Sequence, residues 1–532
     1  MSLASCHDLK KKADLIIFNA QIYSPDSTAR GVNCIAVKNG KILDFGTDAD
    51  IRSHYWAADN INANQGFIYP GFTDAHSHFT GFALGMRYAD LTQAHSFDEV
   101  LDILQQYRKL HPEGWIIGRG WDQNNWSKKT FPDNQKLNKL FPGIPVVLTR
   151  VDGHAVLASD AAIKAAGMAF PGRKGEAVIQ NGWFSGIFLE EMADKIRNAI
   201  PLPSVKEISD LLATATKLCH KAGLTAVTDA GINKSEILLL DSLQKAGRIT
   251  LRIDAWLSPN EENFDYFMKD SIYHTPLLRV GAIKMYADGA LGSRGACLLS
   301  PYLDDSRNYG ILVTSPDELA VVCKRAYEHG FQMNTHAIGD SAVRMVLHTY
   351  SKFLKPGNDR RWRIEHAQVV NEDDFVLFGR YNIIPSVQAT HATSDMGWAR
   401  QRLGYNRVKN AYAYNRLLQQ NGWLPNGTDF PIEGIEPLKT FYAAVARKDL
   451  NGEPEDGYMM ENALSRMDAL KSITIWAAKA SFTDKERGSI AIGKAADFTI
   501  LNTDIIKSPE NKLLQTKVLY TIVNGKTVYK AQ

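Results

Sequence analysis

The chain has 532 residues, of which 45% are hydrophobic, 22% charged and 10% aromatic. This composition excludes an intrinsically disordered chain, a collagen-like repeat and a small disulfide-rich scaffold. The formal net charge of +3 at pH 7 is close to balance, and no basic stripe interleaved with aromatic residues favours a nucleic-acid partner.

Short β segments with turn signals occupy both ends of the chain. Near the start, residues 15–18, 34–37 and 41–43 are apolar runs separated by turns such as Asn39-Gly40. Near the end, residues 497–501 and 518–523 follow the same pattern, with a turn at Asn524-Gly525. We therefore predict one small β-sandwich domain assembled from residues 1–69 and 483–532.

The middle of the chain alternates strand-like apolar runs with helical segments, a pattern typical of a parallel α/β fold. The candidate strands are Ile68–His76, Leu224–Asp229, Leu251–Trp256, Val280–Ala287, Phe331–His336, Trp362–His366, Ile383–Gln388 and Trp423–Asp429. Eight such strands predict a (β/α)8 TIM barrel over residues 70–80 and 204–482, with its reactive groups at the C-terminal strand ends. Polar or ionisable residues close those strands: His76 and His78, Asp229, Lys284, His336, His366, Gln388 and Asp429.

The connection between the first and second candidate strands is far longer than one crossover requires. We therefore predict an inserted subdomain, residues 81–203, that covers the catalytic face as a lid. Its side chains Trp121, Asp152 and His154 are predicted to bind substrate. The alternatives are that Trp121 belongs to the core of the insert and that His154 caps a helix.

Arg294 follows the fourth candidate strand. We predict that it binds an acidic group of the substrate, and pairing with a nearby carboxylate is the alternative.

The first candidate metal ligands lie in Asp74-Ala75-His76-Ser77-His78. In an extended strand, residues i and i+2 project from the same face, so His76 and His78 can reach one ion. Two surface histidines are the alternative interpretation. Histidines that close two later strands, His336 and His366, favour the metal site.

Lys284 and Asp429 are the other residues that indicate chemistry. A charged lysine inside a barrel strand is costly, and a buried lysine loses its proton readily, so its amine can be carbamylated by carbon dioxide. The product would be a carboxylate able to bridge two metal ions. Asp429 could take a proton from an activated water and return it to a leaving amine. The alternatives are pairing of Lys284 with Asp288 and an ordinary turn at Asp429.

These motifs together resemble the amidohydrolase superfamily, and within it the amidohydrolase-3 branch that includes N-substituted formamide deformylase-like enzymes. The resemblance rests on a few segments spread over nearly the whole chain: Ala13-Asp14-Leu15-Ile16, Asn39-Gly40-Lys41-Ile42, 70–78, 288–294, 334–340, Arg363-Ile364-Glu365-His366, 488–490 and 493–497. It implies that His76 and His78 hold the more buried metal and that Lys284, as a carbamate, bridges to a second metal held by His336 and His366. It also implies that Asp429 binds the first metal and moves the proton.

The resemblance implies a metal-dependent hydrolase that cleaves a carbon–nitrogen bond, of the non-peptide amide type, in a small-molecule substrate. Zinc suits a histidine-rich site completed by a carboxylate, as one or two divalent ions. A cyclic-amide hydrolase, a ring deaminase and a non-catalytic regulatory barrel protein are the alternatives. A homodimer is one assembly that the sequence leaves open.

The cysteines and the apolar runs bear on location. The five cysteines are scattered singly, which is typical of reduced thiols in a cytoplasmic protein. No apolar run reaches the roughly 18–20 residues that cross a bilayer, so no membrane-spanning segment is predicted. The stretch Leu3-Ala4-Ser5-Cys6 leaves open a cell-envelope lipoprotein anchored at Cys6, because it resembles what remains at a lipoprotein cleavage site.

Overall fold

A computed structural model describes residues 10–24, 31–168, 177–180 and 183–532. The chain divides into two compact units, one formed by Met1–Phe82 with Leu212–Gln532 and the other by Ala83–Leu211. Cys6, on which the lipoprotein alternative depends, lies outside the described residues. Among the residues that are described, no helix is long and apolar enough to cross a membrane.

Two sheets in the first unit form the β-sandwich predicted from both ends of the chain. The strands of one sheet lie in the order Lys41–Gly46, Cys34–Lys38, Leu15–Phe18 and Asp59–Asn62. Those of the other lie in the order Lys526–Lys530, Val518–Val523, Phe498–Leu501, Phe67–Pro70 and Gln21–Ile22. Leu15 and Ile17 pack into a core that includes Ile500, whereas Ile16 packs into a second cluster. Because alternate side chains of this strand are buried on opposite faces, its sequence is a continuous apolar run.

The two predicted turns are both confirmed. Asn39 and Gly40 have φ values of 51° and 72°, and Asn524 and Gly525 have φ values of 50° and 70°. Two successive positive φ values are those of the hairpin turn that Asn-Gly favours. The turns also lie against each other, since a Cβ on Gly40 would meet the Asn524 carbonyl oxygen at 3.2 Å.

Parallel strands of the first unit form the barrel, and they neighbour one another in chain order. They are Phe72–Asp74, Leu224–Ile232, Arg252–Leu257, Leu278–Tyr286, Gln332–Ala337, Arg363–His366 and Ile384–Ser386. The predicted first strand, Ile68–His76, is in fact two strands, because Phe67–Pro70 belongs to the sandwich. Gly71 joins the two, and a Cβ there would come within 2.3 Å of the Thr225 hydroxyl.

The eighth predicted strand closes the barrel without being a regular strand. On one side, the Gly427 N–H donates to the Val387 carbonyl at 2.9 Å. On the other side, the Asp429 N–H donates to the His76 carbonyl at 2.8 Å. The segment therefore connects the seventh strand to the first, which brings Asp429 beside His76.

Helices alternate with the barrel strands. The helix Pro316–His329 shows why they begin and end where they do: Ser315 and Glu318 form a capping box, and Gly330 ends the helix with a φ of 75°. The other helices of the first unit are Asp48–His54, Lys234–Lys245, Glu261–Phe267, Asp340–Ser351, Phe375–Tyr381, Ala389–Asp395, Ala399–Val408, Tyr414–Asn421, Pro437–Ala446, Arg466–Ser472 and Ile475–Ala480. Two more helices, Phe79–Gly85 and Val205–Lys221, each contain residues of both units.

The second unit, Ala83–Leu211, has its own sheet and its own cores. The strands of the sheet lie in the order Ala89–Asp90, Ile116–Trp121, Val146–Arg150, Ala155–Ala158, Trp183–Leu189 and Ala177–Gln180. Its helices are Phe97–Leu110, Gln135–Leu140, Asp160–Ala165 and Glu190–Asn198. Leu148 and Val147, neighbours in one strand, belong to different apolar clusters, so both faces of the sheet are buried.

Candidate metal centre

Four histidines and one aspartate converge at the C-terminal ends of the barrel strands. The ring centroids of His76 and His366 are 5.1 Å apart, and those of His336 and His366 are 4.6 Å apart. His78 completes the set at 5.6 Å from His76. One ligand atom each of His76, His366 and Asp429 lie within 4.8 Å of one another, and all three residues are buried.

His76 is held by a buried carboxylate. Its Nδ1 lies 2.5 Å from Oε2 of Glu365, to which it donates a hydrogen bond, so Nε2 faces the cluster with its lone pair. Burial, and then the charge of Lys284, lower the pKa of His76 to about 4. The imidazole is therefore neutral, which is the form that binds a metal.

Glu365 is kept ionised by its own partner, Arg363. Burial alone would raise the pKa of Glu365, but the Arg363 guanidinium and then His76 lower it to about 2. The Arg363 Nε lies 2.7 Å from Oε1 of Glu365, and neither side chain is exposed. The ionised carboxylate fixes which nitrogen of His76 carries the proton.

His78 is oriented by the backbone. Its Nδ1 donates to the Ala230 carbonyl at 3.1 Å, which leaves Nε2 facing Oδ1 of Asp429 at 3.4 Å. Nε2 of His76 lies 3.5 Å from the same oxygen. The two histidines of the predicted pair therefore direct equivalent nitrogens at one carboxylate oxygen.

His336 and His366 each have a ring nitrogen that makes no hydrogen bond within the described residues, although Nε2 of His336 lies 3.6 Å from Oδ1 of Asp288. Nε2 of His336, Nδ1 of His366 and Oδ1 of Asp429 are buried without a hydrogen-bond partner in that part of the chain. Burial lowers the pKa of His336 to about 3 and that of His366 well below its usual range. Buried polar atoms ordinarily have a hydrogen-bond partner. Two neutral imidazole nitrogens and one carboxylate oxygen that lack one, in a single cluster, fit a divalent metal ion.

Two of these candidate ligands have unusual backbone conformations. His366 has a φ of 73° and Asp429 a φ of 64°. Residues other than glycine rarely adopt this conformation, and it concentrates at functional sites. His366 is the last residue of a strand whose four residues, Arg363–His366, are all buried.

Lys284 lies directly beside His76. Its Nζ is 3.1 Å from Nε2 of His76, and the residue is 1% exposed. Burial lowers the pKa of Lys284 to about 8, although Glu365 and Asp429 oppose that effect. The alternative pairing with Asp288 is not what the structure shows, since Asp288 accepts the backbone N–H groups of Ile338 and Gly339.

Asp429 has two differently placed oxygens. Oδ1 faces His76 and His78, whereas Oδ2 lies 3.3 Å from Nε2 of His391. Burial would raise the pKa of Asp429, but His76, His391 and His78 lower it well below its usual range. The carboxylate is therefore ionised and able to accept a proton.

His391 and Glu433 are site residues that the sequence did not indicate. Nδ1 of His391 lies 3.2 Å from Oε1 of Glu433. Burial lowers the pKa of His391, but Asp429 and Glu433 outweigh that effect and raise it to about 10. No motif surrounds His391, and its only sequence signal is its position just after the seventh barrel strand, in the helix Ala389–Asp395.

The structure shows local contacts for the four residues predicted to bind substrate, and their contact with a substrate stays a prediction. Trp121 is 1% exposed, and its indole N–H donates to the Leu148 carbonyl. It packs in the core of the second unit, which is the alternative given for it in the sequence analysis. Asp152 accepts a hydrogen bond from Arg150, and the His154 backbone N–H donates to Asp152 at 3.0 Å.

Arg294 pairs with Asp304 at 2.9 Å, which again is the alternative. Its guanidinium therefore already has a carboxylate partner within its own loop.

Known proteins are similar to this chain over most of its length. The model of the amidohydrolase family matches residues 59–529. The chain is 30% identical over 521 residues to "Putative amidohydrolase YtcJ" of Bacillus subtilis (strain 168), covering 96% of this chain and 98% of that protein. It is 25% identical over 559 residues to N-substituted formamide deformylase of Arthrobacter pascens, covering 97% of this chain and 98% of that protein.

The fold is also found among solved structures. An uncharacterized metal-dependent hydrolase from Pyrococcus horikoshii OT3 superimposes with a TM-score of 0.77 at 25% identity, covering 93% of this chain and 99% of that one. The chain belongs to the amidohydrolase family.

Proposed function

We propose that this chain is a metal-dependent hydrolase that cleaves a non-peptide amide-type carbon–nitrogen bond in a small molecule. The observation that carries the proposal is the convergence of neutral His76 and His366 with ionised Asp429, whose ligand atoms lie within 4.8 Å of one another. Similarity to N-substituted formamide deformylase supports the choice of an amide-type bond.

The residues that would hold the metal are His76, His78, His336, His366 and Asp429. Zinc is the ion that this set of nitrogen and carboxylate donors suits, as one ion or two. When bound, such an ion lowers the pKa of water toward ~7 and polarises a carbonyl group.

Asp429 is the proposed acid and base. Its ionised carboxylate accepts the proton of the water that attacks the carbonyl carbon. The protonated carboxyl then donates that proton to the nitrogen as the carbon–nitrogen bond breaks. The nitrogen leaves as a neutral amine, and Asp429 is again ionised.

Lys284 is the proposed site of carbamylation. Its amine, with a pKa of about 8, is deprotonated in part at neutral pH. The neutral amine adds carbon dioxide to give a carbamate and releases one proton. The change replaces a cation next to His76 by an anion, which favours binding of a second cation at His336 and His366.

The experiment combines metal analysis with a substrate panel. Purified protein is reconstituted with zinc, and its hydrolysis of N-formyl and N-acyl amines is compared with that of cyclic amides and ring amidines. We expect stoichiometric zinc and turnover of the open-chain amides. His76→Ala should lose both, whereas His348→Ala, which removes an exposed helical histidine, should lose neither. Substoichiometric metal after reconstitution, or turnover of ring substrates alone, would contradict the proposal.

A further inference from the structure

His391 lies between two carboxylates, one on each side of its ring. Nε2 faces Oδ2 of Asp429 at 3.3 Å, and Nδ1 faces Oε1 of Glu433 at 3.2 Å. The histidine side chain is 12% exposed and that of Glu433 is 19% exposed. The arrangement is a chain of three side chains that runs from the metal centre toward solvent.

Glu433 is itself fixed. Its Oε1 also accepts a hydrogen bond from the Ser394 hydroxyl at 2.6 Å. Ser394 and His391 belong to the same helix, Ala389–Asp395, and that helix packs against the helix Pro437–Ala446, which begins shortly after Glu433. His391 is therefore held at Nδ1 by a residue that is anchored independently of Asp429.

We propose that His391 is a positioning residue, which holds Asp429 by Oδ2 so that only Oδ1 is directed at the metal centre. This inference rests on the proposed function. Oδ2 has its contact with His391, whereas Oδ1 faces His76 and His78 and lacks a hydrogen-bond partner among the described residues.

The different contacts of Oδ1 and Oδ2 of Asp429 have a chemical consequence. A carboxylate that is free to rotate can direct either oxygen, or both, at a metal ion. A carboxylate held by Oδ2 presents a single oxygen in one orientation. Misplacement of a catalytic group by about 1 Å can cost ~10²-fold in rate, so this restraint should affect kcat more than KM.

Two conservative variants separate the two halves of the arrangement. In His391→Gln, the side-chain amide nitrogen can occupy the place of Nε2 and still donate to Asp429, but contact with Glu433 is lost. In His391→Asn, the amide nitrogen can occupy the place of Nδ1 and still donate to Glu433, but Asp429 is released. Glu436→Gln is the matched control, because Glu436 is a nearby carboxylate that pairs only with Lys439 at 3.1 Å among the described residues.

The experiment has one readout that does not depend on activity. The full-length protein is loaded with Co²⁺, and the visible absorption of the bound ion reports its coordination number. We expect His391→Asn to weaken and shift this absorption, whereas His391→Gln and Glu436→Gln should resemble the wild type. With an amide that the wild type hydrolyses, His391→Asn should lower kcat by ~10² with little change in KM, and His391→Gln should recover most of that loss.

The outcomes distinguish the inference from the function on which it rests. If the Co²⁺ spectrum of His391→Asn equals that of the wild type, or if His391→Gln and His391→Asn are equally impaired, the positioning role is wrong. If the wild type hydrolyses no amide while the spectra differ as expected, the proposed function is wrong and the positioning role is supported. Thermal unfolding of each variant shows whether a loss reflects misfolding.

Discussion

Oε2 of Glu365 lies 2.5 Å from Nδ1 of His76, and neither side chain is exposed to solvent. This contact fixes the ring so that Nε2 faces Asp429 and the other histidines. Glu365 belongs to the sixth barrel strand and His76 follows the end of the first, so the orientation of the His76 ring depends on closure of the barrel.

Glu365→Asp should therefore weaken metal binding. The shorter side chain keeps the charge that Arg363 requires but withdraws its oxygens from His76. Residues that orient a metal ligand typically contribute 10–100-fold to metal affinity, and we expect a loss of that size. Competition with a chelator measures it, with Glu372→Asp as the control, since Glu372 pairs with Arg416 at the surface. If the metal affinity of Glu365→Asp equals that of the wild type, Glu365 acts only as the ion-pair partner of Arg363 and does not orient His76.

Lys284→Ala should be inactive or weakly active. The variant removes the amine that forms the carbamate, and a short carboxylic acid, added with bicarbonate, should restore activity in part. The same additions should not restore activity to Asp429→Asn. A crystallographic map that shows an unmodified ammonium directed away from the metals would refute carbamylation.

Asp429→Asn should lower kcat by ~10² or more, because the amide keeps the size of the side chain but cannot accept the proton. Metal should be retained at least in part, which metal analysis of the purified variant checks. A variant that keeps most of its turnover would show that another residue handles the proton.

Asp229→Asn should flatten the dependence of stability on pH. Burial raises the pKa of Asp229 to about 7, above its unfolded value of ~3.9. The folded state therefore binds more protons than the unfolded state between these values, so the free energy of unfolding falls as pH rises from about 4 to about 7. An asparagine at this position does not titrate and can still accept from Thr80, which donates to Asp229 from its N–H and its hydroxyl.

The measurement for Asp229→Asn is the midpoint of urea unfolding between about pH 5 and about pH 8. Asp74 and Asp288 have raised pKa values for the same reason, so we expect the slope to be reduced rather than abolished. Asp270→Asn, at an exposed loop position, should leave the slope unchanged. A profile for Asp229→Asn parallel to that of the wild type would contradict the assignment.

Much of the fold could be predicted because its signals are local. The apolar runs at both ends, the turns at Asn39-Gly40 and Asn524-Gly525, and the alternation in the middle are each visible within a few residues. The segment Trp423–Asp429 is predicted from its sequence as a regular strand, but single hydrogen bonds to the neighbouring segments, rather than a regular ladder, hold it in place. The division at Gly71 depends on Thr225, a residue that only the folded chain brings near.

Some residues of the candidate site could be predicted from the sequence and others could not. The metal-ligand candidates stand in recognisable patterns, and the structure brings His76, His366 and Asp429 together. His391 and Glu433 could not be found, because a single histidine in a short helix and a glutamate in a loop have no distinguishing pattern. Trp121 lies in a polar-aromatic stretch that indicates a pocket, and the structure shows this tryptophan 1% exposed within the core of the second unit.

The β-sandwich pairs segments from opposite ends of the sequence, and this affects folding during synthesis on the ribosome. The Phe72 N–H donates to the Thr499 hydroxyl, 427 positions further along the chain, and the strand Phe67–Pro70 pairs with Phe498–Leu501. At ~5–20 residues per second, a ribosome needs roughly 20 to 90 seconds to add the missing partner. During that time the edge of the early strand is unpaired, and such edges invite association between chains. Completion of the sandwich is therefore a late event in synthesis, and slowing translation should increase the time during which the nascent chain depends on chaperones.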